Sequence, residues 1–406
     1  MPLEERWKAL EELVDKETLE ILRKDNQLPF EIADRMIENV IGRIQLPLGL
    51  LTNLKMNGKK YLVPMAVEEP SIIAGANKAT KLTLPEGFTA EADESIMIGQ
   101  VQLRVENEKK AVEKLEDLKE EIDRMGKDLA SGLEKYGGGW RGWRYMMLKT
   151  FRGPFLLIEF LVDVSDAMGA NTINTIAESL GSFLHENNVG VPRLRILSNL
   201  AVYRKARAKA VWKKDVISKE GVEGVLDAYA FALYDYYRLA TNNKGIMNGI
   251  DAVALATGQD WRAIEAGCHT YSAITGFKPL AHYYKDKEGN LVGEIEVPLA
   301  VATVGGATRT LPHAKASLKI LGVKNAKELA MIMASVGLAN NFAALYALAT
   351  EGIQKGHMKL HARNIAIMAG AKTPEEIDAV AEKLAELKDY SLEKAKEILN
   401  KVREKS

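Results

Sequence analysis

Five short stretches are polar where their surroundings are apolar, and they carry residue types that do chemistry. PMAVEEPS (64–71) places Glu68, Glu69 and Ser71 directly after strand-like sequence. DAMGAN (166–171) sets Asp166, Met168, Gly169 and Asn171 between a strand and a helix. Small residues there let backbone approach a ligand, and a helix N-terminus favours anions. Lys244, in a glycine-flanked turn, and Asp260 interrupt a run of small apolar residues. Ionised groups are rarely buried unless paired, although a capping lysine and an N-cap aspartate before Trp261 would explain both. VGGAT (304–308) reads as a tight turn. EGIQKGHMKLHARN (351–364) holds His357 and His361 at i, i+4 spacing, with Arg363. That spacing can hold zinc, but the H-E-x-x-H pattern is missing and no cysteine lies nearby. An acid–base histidine or a phosphate-binding pair suits it better, and no metal site is expected.

The elements that position these residues follow from periodicity. Thr241–Ile274 reads as helix apolar nearly all round, as a helix in the middle of a large domain should be. The first ~25 residues read as amphipathic helix and Glu31–Glu38 as a second short one. Residues 44–67 are strand-like with a hairpin at Asn57-Gly58, and SIIAGANKATKL returns to helical spacing. QVQLRV, a charged helix over 107–135 ended by three glycines, WRYMMLKTF, a turn at Gly153-Pro154, FLLIEFLVDV, a helix near 168–187 and RLRILSN give the order βαββαβ. That order is the ferredoxin-like split unit, an antiparallel four-stranded sheet with two helices on one face. Past residue 200 helices dominate, broken by strand pieces near 291–304, and the last ~50 residues carry charged amphipathic helices, one opened by Pro374. The fold class is α+β. The expected division is 1–95, first part of a helix-rich large domain; 96–199, the ferredoxin-like subdomain; 200–352, its catalytic part with the central helix; and 353–406, a small helical flap.

Composition narrows the function. Lys+Arg and Asp+Glu balance at 55 each in 406 residues, which argues against a nucleic-acid binder working by bulk charge. Cys268 is the single cysteine, so disulfides within a chain are excluded. No segment reads as bilayer-spanning and no signal peptide opens the chain, so a cytoplasmic protein is expected. The G-x-G-x-x-G nucleotide fingerprint is missing.

ENVIG (38–42), PMAVEEPS, DAMGAN, LSNLA (197–201), NKGIMNGIDAV (243–253), ATGQDWRAIEAG (256–267), VGGAT and ATEGIQKGHMKLHARNIA (349–366) occur in one order from residue 38 to 366. Together they resemble 3-hydroxy-3-methylglutaryl-CoA (HMG-CoA) reductase, in its class II form. The resemblance implies a four-electron reduction of a thioester to an alcohol. HMG-CoA and two reduced nicotinamides would give mevalonate and CoA, through hemithioacetal and aldehyde.

It also implies roles. The family's catalytic lysine, glutamate, aspartate and flexible-tail histidine match Lys244, Glu69, Asp260 and His357. A lysine can stabilise the oxyanion that develops when a thioester accepts hydride, with Asp260 holding it, and a glutamate beside the substrate can deliver a proton to the aldehyde oxygen. A thiolate leaving group of pKa about 8.5 can be protonated by an imidazolium of about 6.5, the task that fits His357. Ser71, Arg238, Asn248 and Asn341 match positions gripping the HMG carboxylate and hydroxyl, Asn199 one near the reacting carbonyl and His361 a CoA contact. Asp166, Met168, Gly169 and Asn171 would lie near the nicotinamide. Asn340 stands where glutamine is common.

NAD-preferring members carry a carboxylate before the triple glycine. Counting back from Gly137 lands on Ala130, and only a two-residue insertion would bring Asp128 there. The expectation is therefore NADPH ahead of NADH, with Lys127, Lys135, Arg141 or Arg144 meeting the 2′-phosphate. Family members are dimers with shared sites, so a homodimer or higher oligomer is expected, with no nucleic-acid or membrane partner. Mevalonate oxidation by the same groups, or reduction of another acyl-CoA, are the alternatives.

Overall fold

The computed structural model describes residues 2–24, 28–350 and 353–404, without the side chains of Arg309 and of residues 353–360. Its strands, in chain order, are β1 (Leu48–Met56), β2 (Lys59–Ala66), β3 (Phe88–Ala92), β4 (Ile96–Arg104), β5 (Gly139–Thr150), β6 (Gly153–Asp163), β7 (Val191–Leu197), β8 (Lys205–Trp212), β9 (Ala281–Lys285) and β10 (Leu291–Pro298). They form a six-stranded sheet in the order β2-β1-β3-β8-β10-β9 and a four-stranded sheet in the order β5-β6-β4-β7. All neighbours in the smaller sheet are antiparallel, which is the split βαββαβ arrangement.

The larger sheet packs one face on two long helices, Tyr236–Ala256 and Ala326–Ala349. Strand β8 explains how. In KARAKAVW the residues Ala206, Ala208, Ala210 and Trp212 are buried, while the intervening Lys205, Arg207 and Lys209 ion-pair with Glu296, Asp93 and Glu294. Small alanines let the helices approach. Trp212 closes the layer by stacking on Phe342 of the second helix with 3.9 Å between ring centroids and donating to the Ala79 carbonyl at 3.0 Å.

The smaller sheet buries Val101, Leu103, Leu156, Ile158 and Phe160 against its helices in a separate cluster. A third cluster, with Ala362, Ala366, Val380, Leu384, Ile398 and Leu399, lies among the helices Ile353–Met368, Pro374–Leu387 and Leu392–Arg403.

Several sequence expectations are corrected. The stretch 241–274 is two helices, Tyr236–Ala256 and Trp261–Ile274, broken at 257–260. The N-terminal helix is likewise two, Leu3–Leu10 and Lys16–Arg23, the second capped by Asp15. The helix over 107–135 breaks at Leu118 and ends in a 3-10 turn, Ser131–Tyr136. Thr150 pairs with Gly153, so the β5–β6 turn is Phe151-Arg152 and Gly153-Pro154 begins the next strand. Strands β3, β8 and β9 were not expected. Finally, Ala326–Ala349 is long and apolar enough to cross a membrane, but 78% of its most apolar stretch is buried in the protein. It is apolar all round because protein surrounds it.

Candidate active site

After β2 the chain turns through Glu68, Glu69 and Pro70 into the helix Ile72–Lys81. Ser71 caps that turn at φ 81°, a left-handed conformation that serine adopts only at a cost of order 1 kcal/mol. Two bonds fix it. The Gly75 amide donates to the Ser71 carbonyl at 2.7 Å, and buried Asn340 donates to the Ile72 carbonyl at 3.0 Å. Glu69 is thereby held against the helix Tyr236–Ala256, where Lys244 Nζ lies 3.3 Å from Glu69 Oε2. Both side chains are solvent-accessible in the single chain, at 61% for Lys244 and 41% for Glu69. Beside Lys244, a Cβ on Gly245 would meet nothing within 4 Å, so the helix surface there is open.

Arg238 and Asn248 stand on the same helix, both half-buried. Asp235 caps the helix by accepting from the Arg238 amide at 2.7 Å, and burial pulls the Arg238 guanidinium below its ordinary pKa. Asp260 has other partners. Its carboxylate accepts from the Ala263 amide at 3.1 Å, as the N-cap of Trp261–Ile274, and lies 3.6 Å from Arg262. Among the described residues the ion pair of Lys244 is with Glu69 and that of Asp260 is with Arg262. The fold therefore joins two of the three candidate catalytic residues with described side chains.

Asn199 is exposed, and its carbonyl is approached so closely by Gly267 that a Cβ there would sit 2.8 Å away. Asn341 is buried at 1% exposure. Its amide donates to Asn242 Oδ1 at 3.0 Å and its oxygen accepts from Tyr283 at 2.9 Å. It belongs to an interior polar network, so any direct substrate contact would have to exchange those bonds. His361 is half-buried on the helix Ile353–Met368, near Arg363, which pairs with Asp378 at 2.8 Å. The side chain of His357 lies outside the described residues.

In the 166–171 loop, Asp166 Oδ1 accepts from the Ala326 amide at 2.8 Å, so the carboxylate anchors the start of the helix Ala326–Ala349. Gly169 has φ 94°, and a Cβ on it would come 2.5 Å from Val164. A side chain could not be accommodated there. No side chain caps the helix Ala170–Glu186 that follows, and its first turn holds no acid. This cradle fits an anionic cofactor such as a nicotinamide dinucleotide. Among the described residues no cluster of His, Cys, Asp and Glu could hold a metal ion.

Three supporting residues escaped the sequence reading. Buried Arg204 donates to the carbonyls of Ala167 (3.0 Å), Met168 (3.4 Å) and Val301. Gln259 pairs both ways with the Ala302 backbone, and Asn242 underlies Asn341. Nothing distinguishes Arg204 from Lys205 and Arg207 in sequence; only topology turns one inward.

A solvent-open lysine–carboxylate pair and, on the smaller sheet's side, an uncapped helix start behind a glycine-bearing loop are groups that an oxidoreductase using an anionic dinucleotide can employ. The family model for hydroxymethylglutaryl-coenzyme A reductase matches residues 2–362. The chain is 51% identical to 3-hydroxy-3-methylglutaryl-coenzyme A reductase of Archaeoglobus fulgidus, over 99% of this chain and 93% of that protein. It is 36% identical to the probable 3-hydroxy-3-methylglutaryl-coenzyme A reductase of Borreliella burgdorferi, over 96% and 92%. A class II reductase from Streptococcus pneumoniae, solved bound to NADPH in open conformations, superposes with TM-score 0.82 at 40% identity, covering 99% of this chain and all (100%) of that one. The chain belongs to the hydroxymethylglutaryl-coenzyme A reductase family, in its class II form.

Proposed function

We propose that the reduction of HMG-CoA to mevalonate and CoA, which feeds isoprenoid synthesis, proceeds at the Lys244–Glu69 pair. The reduced nicotinamide supplies hydride. Lys244 donates a charged hydrogen bond to the substrate carbonyl oxygen and stabilises the negative charge that grows there. Glu69, 3.3 Å from that ammonium, is within reach of the same oxygen and delivers the proton that completes the alcohol. Asp260 sets the charge around the lysine, and His357 protonates the departing CoA thiolate. Ser71, Arg238 and Asn248 take the HMG carboxylate and hydroxyl, Asn199 the region of the reacting carbonyl, and His361 the CoA. Asn341 supports this wall through Asn242. Asp166, Met168, Gly169 and Asn171 shape the nicotinamide cradle. The observation that carries the reading is the Lys244–Glu69 contact, which joins residues far apart in sequence on an accessible face.

NADPH is the proposed cofactor. The relative solved with NADPH favours it, and so does the distribution of cations. Among the described residues Arg144 is paired with Glu159 at 2.7 Å and Arg141 with Asp163 at 3.2 Å. That leaves Lys127 and Lys135 to meet a 2′-phosphate. The proposed assembly is a cytoplasmic homodimer, because Ile41 and Ile44 are 98% and 95% exposed on a segment that needs a partner. In it the site exposed in one chain is covered by the other, and the helices beyond residue 353, with their own small core, close over bound ligand. The proposed division remains 1–95, 96–199, 200–352 and 353–406.

The test is steady-state kinetics in both directions with both cofactors, and with a plain acyl-CoA beside HMG-CoA. HMG-CoA-dependent oxidation of NADPH is expected to exceed every other combination. Equal turnover of a plain acyl-CoA would remove the role of Ser71, Arg238 and Asn248.

A further inference from the structure

Arg204 is 5% exposed, and among the described residues no carboxylate lies within ion-pair distance of it. Burying a guanidinium is costly unless its donors are met, and here they are met by backbone from two separate segments. Nη1 serves the Ala167 and Met168 carbonyls in the cradle loop, and Nη2 serves the Val301 carbonyl. Burial pulls the guanidinium down to about 10, while the negative charges of Asp163 and Asp166 act in the opposite sense. It stays charged at neutral pH.

The segment that Arg204 grasps is held from the other side as well. The Ala302 amide donates to Gln259 Oε1 at 2.7 Å, and Gln259 Nε2 donates to the Ala302 carbonyl at 3.0 Å and to the Thr257 carbonyl at 3.0 Å. The Thr303 amide donates to the Asp166 carbonyl at 3.0 Å. Residues 301–303 are thus bonded on one side to the loop carrying Asp166, Met168 and Gly169. On the other side they are bonded to the turn that ends in Asp260.

We infer that Arg204 is a positioning residue for hydride transfer, holding the cradle loop in register with the Asp260 turn through the backbone of residues 301–303. The inference rests on the reading that the 166–171 loop receives the nicotinamide. A planar fork suits the task, since its separate N–H groups address two segments at once, whereas a lysine is a point charge that cannot hold both. Displacing a reacting group by about 1 Å can cost 10²-fold in rate, so small loop shifts will register in kinetics.

The experiment compares Arg204→Lys, Arg204→Met and Gln259→Met with the wild-type chain. Its readouts are NADPH binding by tryptophan fluorescence, KM for each substrate, kcat and Tm. Arg204→Met and Arg204→Lys are expected to raise KM and Kd for NADPH about tenfold or more and to lower kcat, with KM for HMG-CoA within about twofold of wild type. Gln259→Met is expected to lower kcat with KM for NADPH unchanged. Arg204 variants with wild-type NADPH affinity and kcat would overturn the inference. So would a parallel loss of both substrate affinities with a fallen Tm, or failure of both Arg204 variants to fold, since either assigns Arg204 to the core alone. Asn171→Ala and Gly169→Val serve as the control for the underlying reading. If they leave NADPH affinity intact, the cradle assignment fails independently of Arg204.

Discussion

Replacing Asp260 by asparagine separates the two tasks that fall on this side chain. As an N-cap it accepts the Ala263 amide at 3.1 Å, and asparagine caps a helix about as well as aspartate. The 3.6 Å approach to Arg262, with that arginine 72% exposed, is a surface ion pair worth about 0–1 kcal/mol. Asp260→Asn is therefore expected to leave stability within about 1 kcal/mol of wild type. Asp260→Ala loses the cap and about 1 kcal/mol more. In activity the order changes. Both variants lose the carboxylate to which the proposed mechanism gives the charge around Lys244, so on that proposal kcat falls by roughly 10²-fold in both. Urea unfolding gives the stability comparison, and HMG-CoA-dependent loss of nicotinamide absorbance gives the rates. An Asp260→Asn enzyme with wild-type kcat would show that Asp260 is a helix cap and nothing else.

Asp251 on the central helix faces Glu265 of the next helix, and burial first, then Glu265, pushes its carboxyl up to about 8. The folded state therefore keeps a proton that the unfolded chain releases above about pH 4. This stabilisation is complete at low pH and is lost as pH rises from there through about 8. Wild-type Tm is expected to fall between pH 5 and pH 9 relative to Asp251→Asn, and parallel profiles would contradict this. Ile41→Asp with Ile44→Asp is expected to give a monomer of low activity by sedimentation and assay; an unaltered dimer would remove these residues from the interface. Deleting residues 373–406 strips the partners of Ala362 and Ala366 and is expected to leave a folded dimer with little turnover, whereas full activity would refute the closing role.

Much of the smaller sheet was legible because β4 and β6 alternate or run apolar and Gly137–Gly139 marks a break. Strand β8 was hidden because alanine, lysine and arginine favour helices, and its alternation matters only where a sheet neighbour makes it matter. The hairpin at Asn57-Gly58 was readable from local chemistry, both residues having positive φ. The N-cap at Asp260 was readable from its place before Trp261, but the break itself was not, since it turns on Gly258 at φ 68° within a stretch whose apolar pattern runs on across it. The candidate chemistry was legible as residue types in order. The pairing of Lys244 with Glu69 rather than Asp260 was not, because only the packing of Ile72–Lys81 against Ala326–Ala349, fixed by Asn340, brings residue 69 to residue 244.

The most direct test is the rate of HMG-CoA-dependent NADPH oxidation by Lys244→Met, measured beside NADPH affinity and Tm. Loss of an oxyanion-stabilising donor costs about 10²- to 10³-fold in kcat, so a fall of at least that size is expected, with affinity and Tm close to wild type. A Lys244→Met enzyme within tenfold of the wild-type rate would contradict the assignment of Lys244 to the growing negative charge.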